Sequence, residues 1–379
     1  MANIYIDYAT GNDSTGTGAS GAPYKTLQKA INVGNGGDTI HVANTSAQVI
    51  AAGGIVWTGG WAASQGADSG HPLVIKPWDN GGAQVIAHPV LGNITAFAVD
   101  ASSIAGGAKL FNASWIDNYV RIEGMKVTGM VGSFATADEW SLFRCQVDAS
   151  TLGSGEKAIS FANASGGCRA VDCYISGGVN AGGIGIHSIA HSTILGCFID
   201  GVEATAVGIS CAGTDDAVLH NIVTGVAGTG INVTNGNNII GNTVRGDGST
   251  ASAIGINCAA NSTPAVLNNV VANFSGASNV GIKAAATIYL PMLGYNGFYS
   301  NAANYSGTFN PAVDLTAYDK AFSVDPFDDA AGDDFTMKAV TSDQPGLPLF
   351  LGSATAERYN IGAVAGNQGA DASFIFFNN

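Results

Sequence analysis

Two motifs recur through the middle of this 379-residue chain on one shared period, and no other feature constrains its fold as much. Short apolar segments such as VRIEGMKVTG (120–129), RAVDCYISG (169–177), AVLHNIVTG (217–225) and NIIGNTVRG (238–246) can be aligned on one anchor position. The anchors are Met125, Cys145, Cys173, Cys197, Asn221, Asn242, Asn269 and Asn296, spaced by 20, 28, 24, 24, 21, 27 and 27 residues, about 24 on average. An apolar residue stands two positions after each anchor, from Val127 to Phe298. Gly-Ile pairs beginning at Gly185, Gly208, Gly230, Gly255 and Gly281 keep the same phase. Two independent ladders on a period of this length signify a solenoid, a propeller or an array.

The local pattern selects among these. Each segment is short, alternating, rich in β-branched residues and bounded by Gly and Asn, which predicts strands. No helical stretch falls inside the repeat, which excludes helical solenoids and leucine-rich horseshoes. A coil of about 24 residues holds three short strands and three bends, and coils stacked ~4.8 Å apart form three parallel sheets. One full coil supplies the long connection that parallel strands require. The expected fold is all-β: a single-stranded parallel β-helix.

In that fold the anchor column acquires a structural role. Asn tolerates a left-handed backbone at a bend, and stacked Asn amides can bond from coil to coil. A small thiol fits the same inward corner. Cys145, Cys173, Cys197, Asn221, Asn242, Asn269 and Asn296 are therefore expected to form a structural ladder. Cys211 and Cys258 fall in one phase two coils apart, roughly 10 Å at the coil spacing, which is beyond disulfide reach. With no CxxC pair and no Cys/His zinc spacing, the cysteines predict structural thiols and neither a metal nor a cofactor.

The ends differ from the middle. Pro23, Tyr24, Leu27 and Ile31, followed by Gly34, predict a helix of two to three turns that caps the open end of the solenoid. The expected organisation is a cap over 1–44, coils over 45–310 and an irregular C-terminal extension over 311–379.

The stretch IYIDYATGNDSTGTGASGAPYKTLQKAINVGNGGDTIHVA resembles the N-terminal cap of right-handed β-helix proteins of the pectin-lyase-like superfamily. HPLVIKPWDNGGAQVIA is similar to their first full coils, and SVDPF, DDFTMK and YNIGAVAG resemble their C-terminal tails, with Asn360 where an Asp is more usual. The resemblance spans nearly the whole chain and implies a right-handed helix. Its members include pectate lyases, polygalacturonases, alginate-modifying enzymes, phage tailspikes and non-enzymatic virion proteins.

Charge narrows the partners. The net charge is −14, and the 14 Lys and Arg residues are scattered singly. No basic stripe exists to neutralise phosphates, so nucleic acid is not an expected partner. An acidic polysaccharide or an anionic membrane is disfavoured for the same reason. No run of eighteen apolar residues occurs, so no membrane span is expected. MANIYIDYATG carries neither a basic nor an apolar leader region, which predicts no secretory signal.

Candidate chemistry is sparse. Hydrolysis of a glycosidic bond needs two carboxylates flanking it, and Asp148 and Asp200 share a phase two coils apart, with Ser176 between them. Turn caps are the plainer expectation for both. Asp172 lies one coil from Arg144, which predicts a surface ion pair. GTDDA (213–217) is similar to the Asp-Asp of polygalacturonases, but the accompanying Gly-His-Gly and Arg-x-Lys segments are absent. The family's catalytic residues do not carry over. His187 and His191 do not sit on a helix and make no zinc motif. His187, Ser210, Asn232, Asn257 and Lys283 form an outward polar column that could face sugar hydroxyls or simply water. DPFDDAAGDD (325–334) lacks the calcium-loop spacing of an EF-hand. Trp57, Trp61 and Trp78 cluster in the elaborated early coils, where they can pack under loops or stack on sugars.

The residues directly after the anchors, including Tyr174, Phe198 and Ile222, are expected to face outward. An exposed apolar column marks an interface. The tail SFIFFNN, with Phe374, Phe376 and Phe377, is expected as a final strand or a docking strand. Together with the resemblance, these features predict a non-catalytic structural protein of a phage particle. It would assemble with itself, as a trimer for choice, and with other virion proteins, and would reside in the virion. The competing expectation is a depolymerase acting on a neutral or weakly charged glycan, or a binding module for a host-surface glycan.

Overall fold

The computed structural model describes residues 1–56, 70–112, 119–136, 139–161, 167–189, 191–259, 262–329 and 334–337. Trp57, Trp61, Phe374, Phe376 and Phe377 lie outside these residues. The chain winds into a right-handed parallel β-helix with three sheets. The first sheet has twelve strands from Asn3–Ile6 to Phe309–Leu315, and the second has eleven from Gln48–Val49 to Lys320–Ala321. The third has eight, from Ala135–Thr136 to Ala303–Ser306, so among the described residues eight coils carry all three sheets. Parallel pairing continues past residue 310 to Ala321.

The alternation seen in the sequence is the reason for the core. Ile122, Leu142, Ala170, Ile194, Val218, Ile239 and Val266 point inward from the first sheet. Val127, Val147, Ile175, Ile199, Val223, Val244 and Val271 meet them from the second, and Ile159, Ile186, Ile209, Ile231, Ile256 and Ile282 from the third; every one is fully buried. In-register stacking places like against like in each column, so each coil adds the same apolar layer.

The Gly-Ile ladder has a steric cause. A Cβ on Gly230 would stand 2.4 Å from Val244 Cγ1 and 2.7 Å from the Gly255 carbonyl oxygen, and Gly208 and Gly255 meet the same pair of obstacles. At these positions the third sheet bends so tightly over the second that only a hydrogen fits.

The helix Leu27–Val33 makes two turns and buries Leu27, Ala30 and Ile31 over the first coils. Thr26 caps its start by accepting from the Lys29 N–H (3.1 Å), and the Gly34 N–H closes its end on the Ala30 carbonyl. Among the described residues no helix is long and apolar enough to cross a membrane.

The anchor column is a ladder of satisfied buried groups. Asn242 Oδ1 accepts from the Asn221 N–H (2.9 Å) and from Asn221 Nδ2 (3.0 Å), while Asn242 Nδ2 donates to the Val218 carbonyl (2.9 Å). Asn269 and Asn296 repeat the arrangement for the next coils. In the Cys stretch the thiol takes the role of the amide nitrogen: Cys145, Cys173 and Cys197 donate to the carbonyls of Ile122, Leu142 and Ala170. All six cysteines are buried and unbridged, and burial pushes the Cys145 and Cys197 thiols well above their ordinary range. The ladder ends on Asp319, which accepts from the Asn296 N–H (2.8 Å) and the Tyr305 hydroxyl (2.6 Å). Burial raises its carboxyl to about 6.

One expectation requires correction. The column after the anchors does face outward on the second sheet, but it is not an open patch. Phe198 and Ile222 are buried, and with Val270 and Ala272 they form a second apolar cluster around Phe327. After the last coil the chain turns back along this sheet, and Arg245 pairs with Asp325 (3.9 Å) beside the buried Phe327. Tyr174 stays half-buried, with the His88 ring against it and against Phe198, at centroid distances of 5.7 and 6.4 Å. The protein covers this column with its own segments.

Candidate functional site

The residues expected to carry chemistry are not brought together. Asp148 Oδ1 accepts from the Ser150 N–H (3.0 Å), the geometry of a turn cap. Asp148 pairs in register with Ser176 and Asp200 with Thr224 on the second sheet, leaving the two aspartates two coils apart. In GTDDA, Asp216 is buried and accepts from the Ser188 hydroxyl (2.7 Å) and the Ser192 N–H (2.9 Å), so it braces a bend. Asp215 is exposed, 3.6 Å from His191. His187, Ser210, Asn232, Asn257 and Lys283 do align on the outer face of the third sheet, with Asn257 donating to Asn232 (2.7 Å). Trp78 packs edge-on against Tyr5. Among the described residues no three His, Cys, Asp or Glu side chains gather in a metal-holding group.

A concave site lies elsewhere. The strands Val85–His88 and Gly92–Thr95 pair antiparallel as a hairpin outside the coil. Between this hairpin and the first sheet is a cleft of about 780 Å³. Its roof includes Leu91, Asn93, Ile94 and Thr95, and its floor is Phe143 and Val171. Four charged side chains converge on it: Arg121, Glu123, Arg144 and Asp172.

Strand alternation explains part of this set. In Val120–Glu123 the inward Val120 and Ile122 leave Arg121 and Glu123 pointing out, and Arg121 Nε stands 2.6 Å from Glu123 Oε1. The Arg121 guanidinium also covers the Phe143 ring at 4.3 Å, a cation–π contact. Arg144 and Asp172 sit at the bend between the first two sheets, where every coil needs a left-handed residue. Gly124, Gly196 and Gly241 fill it in three coils, and His220, Asn268 and Tyr295 take positive φ there just as Arg144 and Asp172 do, at 52° and 53°. Arg144 Nε lies 3.8 Å from Asp172 Oδ2. Burial raises the Asp172 carboxyl above its ordinary value, and Arg144 offsets this only in part.

The Arg144–Asp172 pair was legible as an ion pair. Its partners were not, because the roof comes from a hairpin distant in sequence. The available signal was the outward Arg-x-Glu of VRIEG.

His88 fixes the roof. Its Nδ1 accepts from both the Val90 and Leu91 N–H groups (3.1 Å each), which requires a neutral ring, and burial lowers its pKa to about 4. In the unfolded chain the ring titrates near ~6.5. The stabilising bonds are therefore fully present above that pH and are lost as pH falls through about 4. His88→Gln, which keeps an acceptor but does not titrate, is expected to flatten the decline of the melting temperature between those pH values. An unchanged slope would assign the decline to other groups.

No family model matches the sequence, and no curated protein matches it. Solved structures do resemble the fold. A glycoside hydrolase superposes with a TM-score of 0.55 at 10% identity, over 83% of this chain and 97% of that one. The GH136 lacto-N-biosidase from Eubacterium ramulus superposes with a TM-score of 0.51 at 10% identity, over 83% and 68%. Pectate lyase Pel9A covers 97% of both chains at 14% identity, with a TM-score of 0.39. At these identities the likeness is one of fold.

Proposed function

We propose that this chain binds a neutral glycan in the cleft beneath the Val85–Thr95 hairpin and hydrolyses it with inversion at the anomeric carbon. The observation that carries the reading is the pair of carboxylates in unlike environments within one cleft. Glu123 is paired by Arg121, whereas Asp172 is pushed toward its protonated form by burial. Two carboxylates whose surroundings differ in this way divide into an acid and a base. The register Glu123–Phe143–Val171 sets them two coils apart, about 10 Å at the coil spacing. That is a spacing between backbones; the reading requires the two side chains to lean together under the hairpin, to the ~6.5–9.5 Å that leaves room for an attacking water.

In this scheme Asp172 gives its proton to the glycosidic oxygen as the bond from that oxygen to the anomeric carbon breaks. Glu123 takes a proton from the water that attacks the opposite face of the sugar. Arg144 and Arg121 orient the two carboxylates, and Phe143 and Val171 receive the apolar face of a ring. Both arginines are held by carboxylates, Arg121 by Glu123 and Arg144 by Asp172, so neither stands free to pair with a uronate. The volume falls within the roughly 300–1,000 Å³ usual for small-molecule sites. The solved structures of similar fold include enzymes that act on glycans, which agrees with this reading.

Against neutral oligosaccharides the wild type should release reducing ends of inverted configuration, followed by NMR of the fresh product. Asp172→Asn and Glu123→Gln should each lower the rate by about 10²–10⁴-fold, the usual worth of a positioned acid or base, while retaining sugar binding. Wild-type activity in both variants would sink the assignment. A purely structural role in a virus particle drew in part on an exposed second-sheet column, which the chain covers itself.

A further inference from the structure

Resting on the glycan reading of the cleft, we infer that it is blind at one end and that the protein acts on chain ends, removing one or two sugars from the non-reducing terminus of a neutral oligosaccharide. The roof is rooted at one end only. Thr95 ends the hairpin, and two residues later the Phe97 N–H donates to the Gly124 carbonyl (3.0 Å), which joins the roof to the wall of the coil. Packing at this junction leaves no passage. A Cβ on Gly124 would stand 2.8 Å from the Thr95 carbonyl oxygen and 3.0 Å from Pro77 Cγ, so the hairpin, the bend and the strand Leu73–Trp78 are in direct contact there. Among the described residues the cleft takes no lining from the preceding strand, Thr39–Ala43.

The other end is open. Strand order runs from Leu73–Trp78 through Val120–Glu123 and Ser141–Phe143 to Arg169–Val171, which sets Val171 and Asp172 three coils from Pro77. At that end the hairpin finishes in a turn whose Val90 and Leu91 are 46% and 44% exposed. The positions of the two carboxylates then decide which end of the sugar enters. In an inverting displacement the base-held water attacks from the face opposite the leaving oxygen, which the acid protonates. Glu123 adjoins Gly124 at the closed end, and Asp172 stands two coils nearer the mouth. The leaving part of the substrate therefore points out of the cleft. The sugar that carries the anomeric carbon lies inside, with its non-reducing side toward the wall at Pro77. Three coil spacings of ~4.8 Å give a cleft of about 14 Å, the length of two to three sugar rings, so one or two fit inside the leaving sugar. The released unit takes the water's hydroxyl at its anomeric carbon, Glu123 keeps the water's proton, and the shortened chain leaves with the Asp172 proton on its new terminal oxygen.

The test is the early product pattern, by chromatography, from cello-, xylo-, manno- and N-acetylchito-hexaoses carrying a fluorescent tag at the reducing end. The hydrolysed series should give an untagged mono- or disaccharide and a single tagged product shorter by that unit. A bulky benzyl ether on the non-reducing terminal sugar should slow hydrolysis at least about 10²-fold, the usual cost of a misplaced substrate. Tagged fragments of every length at early times, with blocked and free hexaoses cut at the same rate, would overturn the blind cleft and leave the glycan reading standing. Release of the tagged terminal sugar first would overturn the direction of entry. No hydrolysis of any series would overturn both the direction and the glycan reading.

Discussion

Asn242→Ala is expected to cost about 3–9 kcal/mol of folding stability, because it strips partners from three buried groups at roughly 1–3 kcal/mol each. The Asn221 N–H and the Asn221 amide lose their acceptor, and the Val218 carbonyl loses a donor. No water can reach these groups, since Asn221 and Asn242 are fully buried. The denaturation midpoint in guanidinium measures the loss. Asn257→Ala provides the contrast. Its amide bonds Asn232 on a half-exposed face, where water replaces the partner, so a loss of no more than about 1 kcal/mol is expected. Equal losses would contradict the distinction between inward ladder and outer face.

The second large effect concerns the returning C-terminal segment. Phe327→Ala should cost about 3–5 kcal/mol, the usual loss for a buried aromatic. It should also open the cluster of Phe198, Ile222, Val270 and Ala272 to solvent. Increased binding of a hydrophobic dye and concentration-dependent association are the accompanying signs. Arg245→Ala removes only the partly exposed ion pair to Asp325 and is expected to cost less than about 1 kcal/mol. A Phe327→Ala protein with unchanged stability and no dye binding would show that the segment does not hold the second sheet.

What could be read from the residues follows from the range of the interactions. Period, strand type, inward corners and the capping helix are written within one coil, so Asn221, Cys173 and Gly230 could be placed by phase alone. The outward direction of Tyr174, Phe198 and Ile222 was legible for the same reason. Their covering was not, because Phe327 lies more than a hundred residues from Ile222 and belongs to no repeat. The cleft failed to show for a similar reason. His88 and the hairpin carry an alternating pattern like any wall strand, and nothing local says that they leave the wall. Asp148 and Asp200 satisfied the phase rule for a carboxylate pair, yet Asp148 caps a turn through the Ser150 N–H and stays two coils from Asp200. Asp172 was visible only as half of an ion pair, and its burial depends on the whole cleft.

The central claim is that the cleft between the hairpin and the first sheet is where sugar binds. A crystal structure of Asp172→Asn soaked with the tightest-binding neutral oligosaccharide tests it most directly. The account predicts a sugar ring on Phe143 and Val171, with its hydroxyls within hydrogen-bond reach of Glu123 and Arg144. An empty cleft with the sugar seated on the His187–Lys283 column of the third sheet would contradict it.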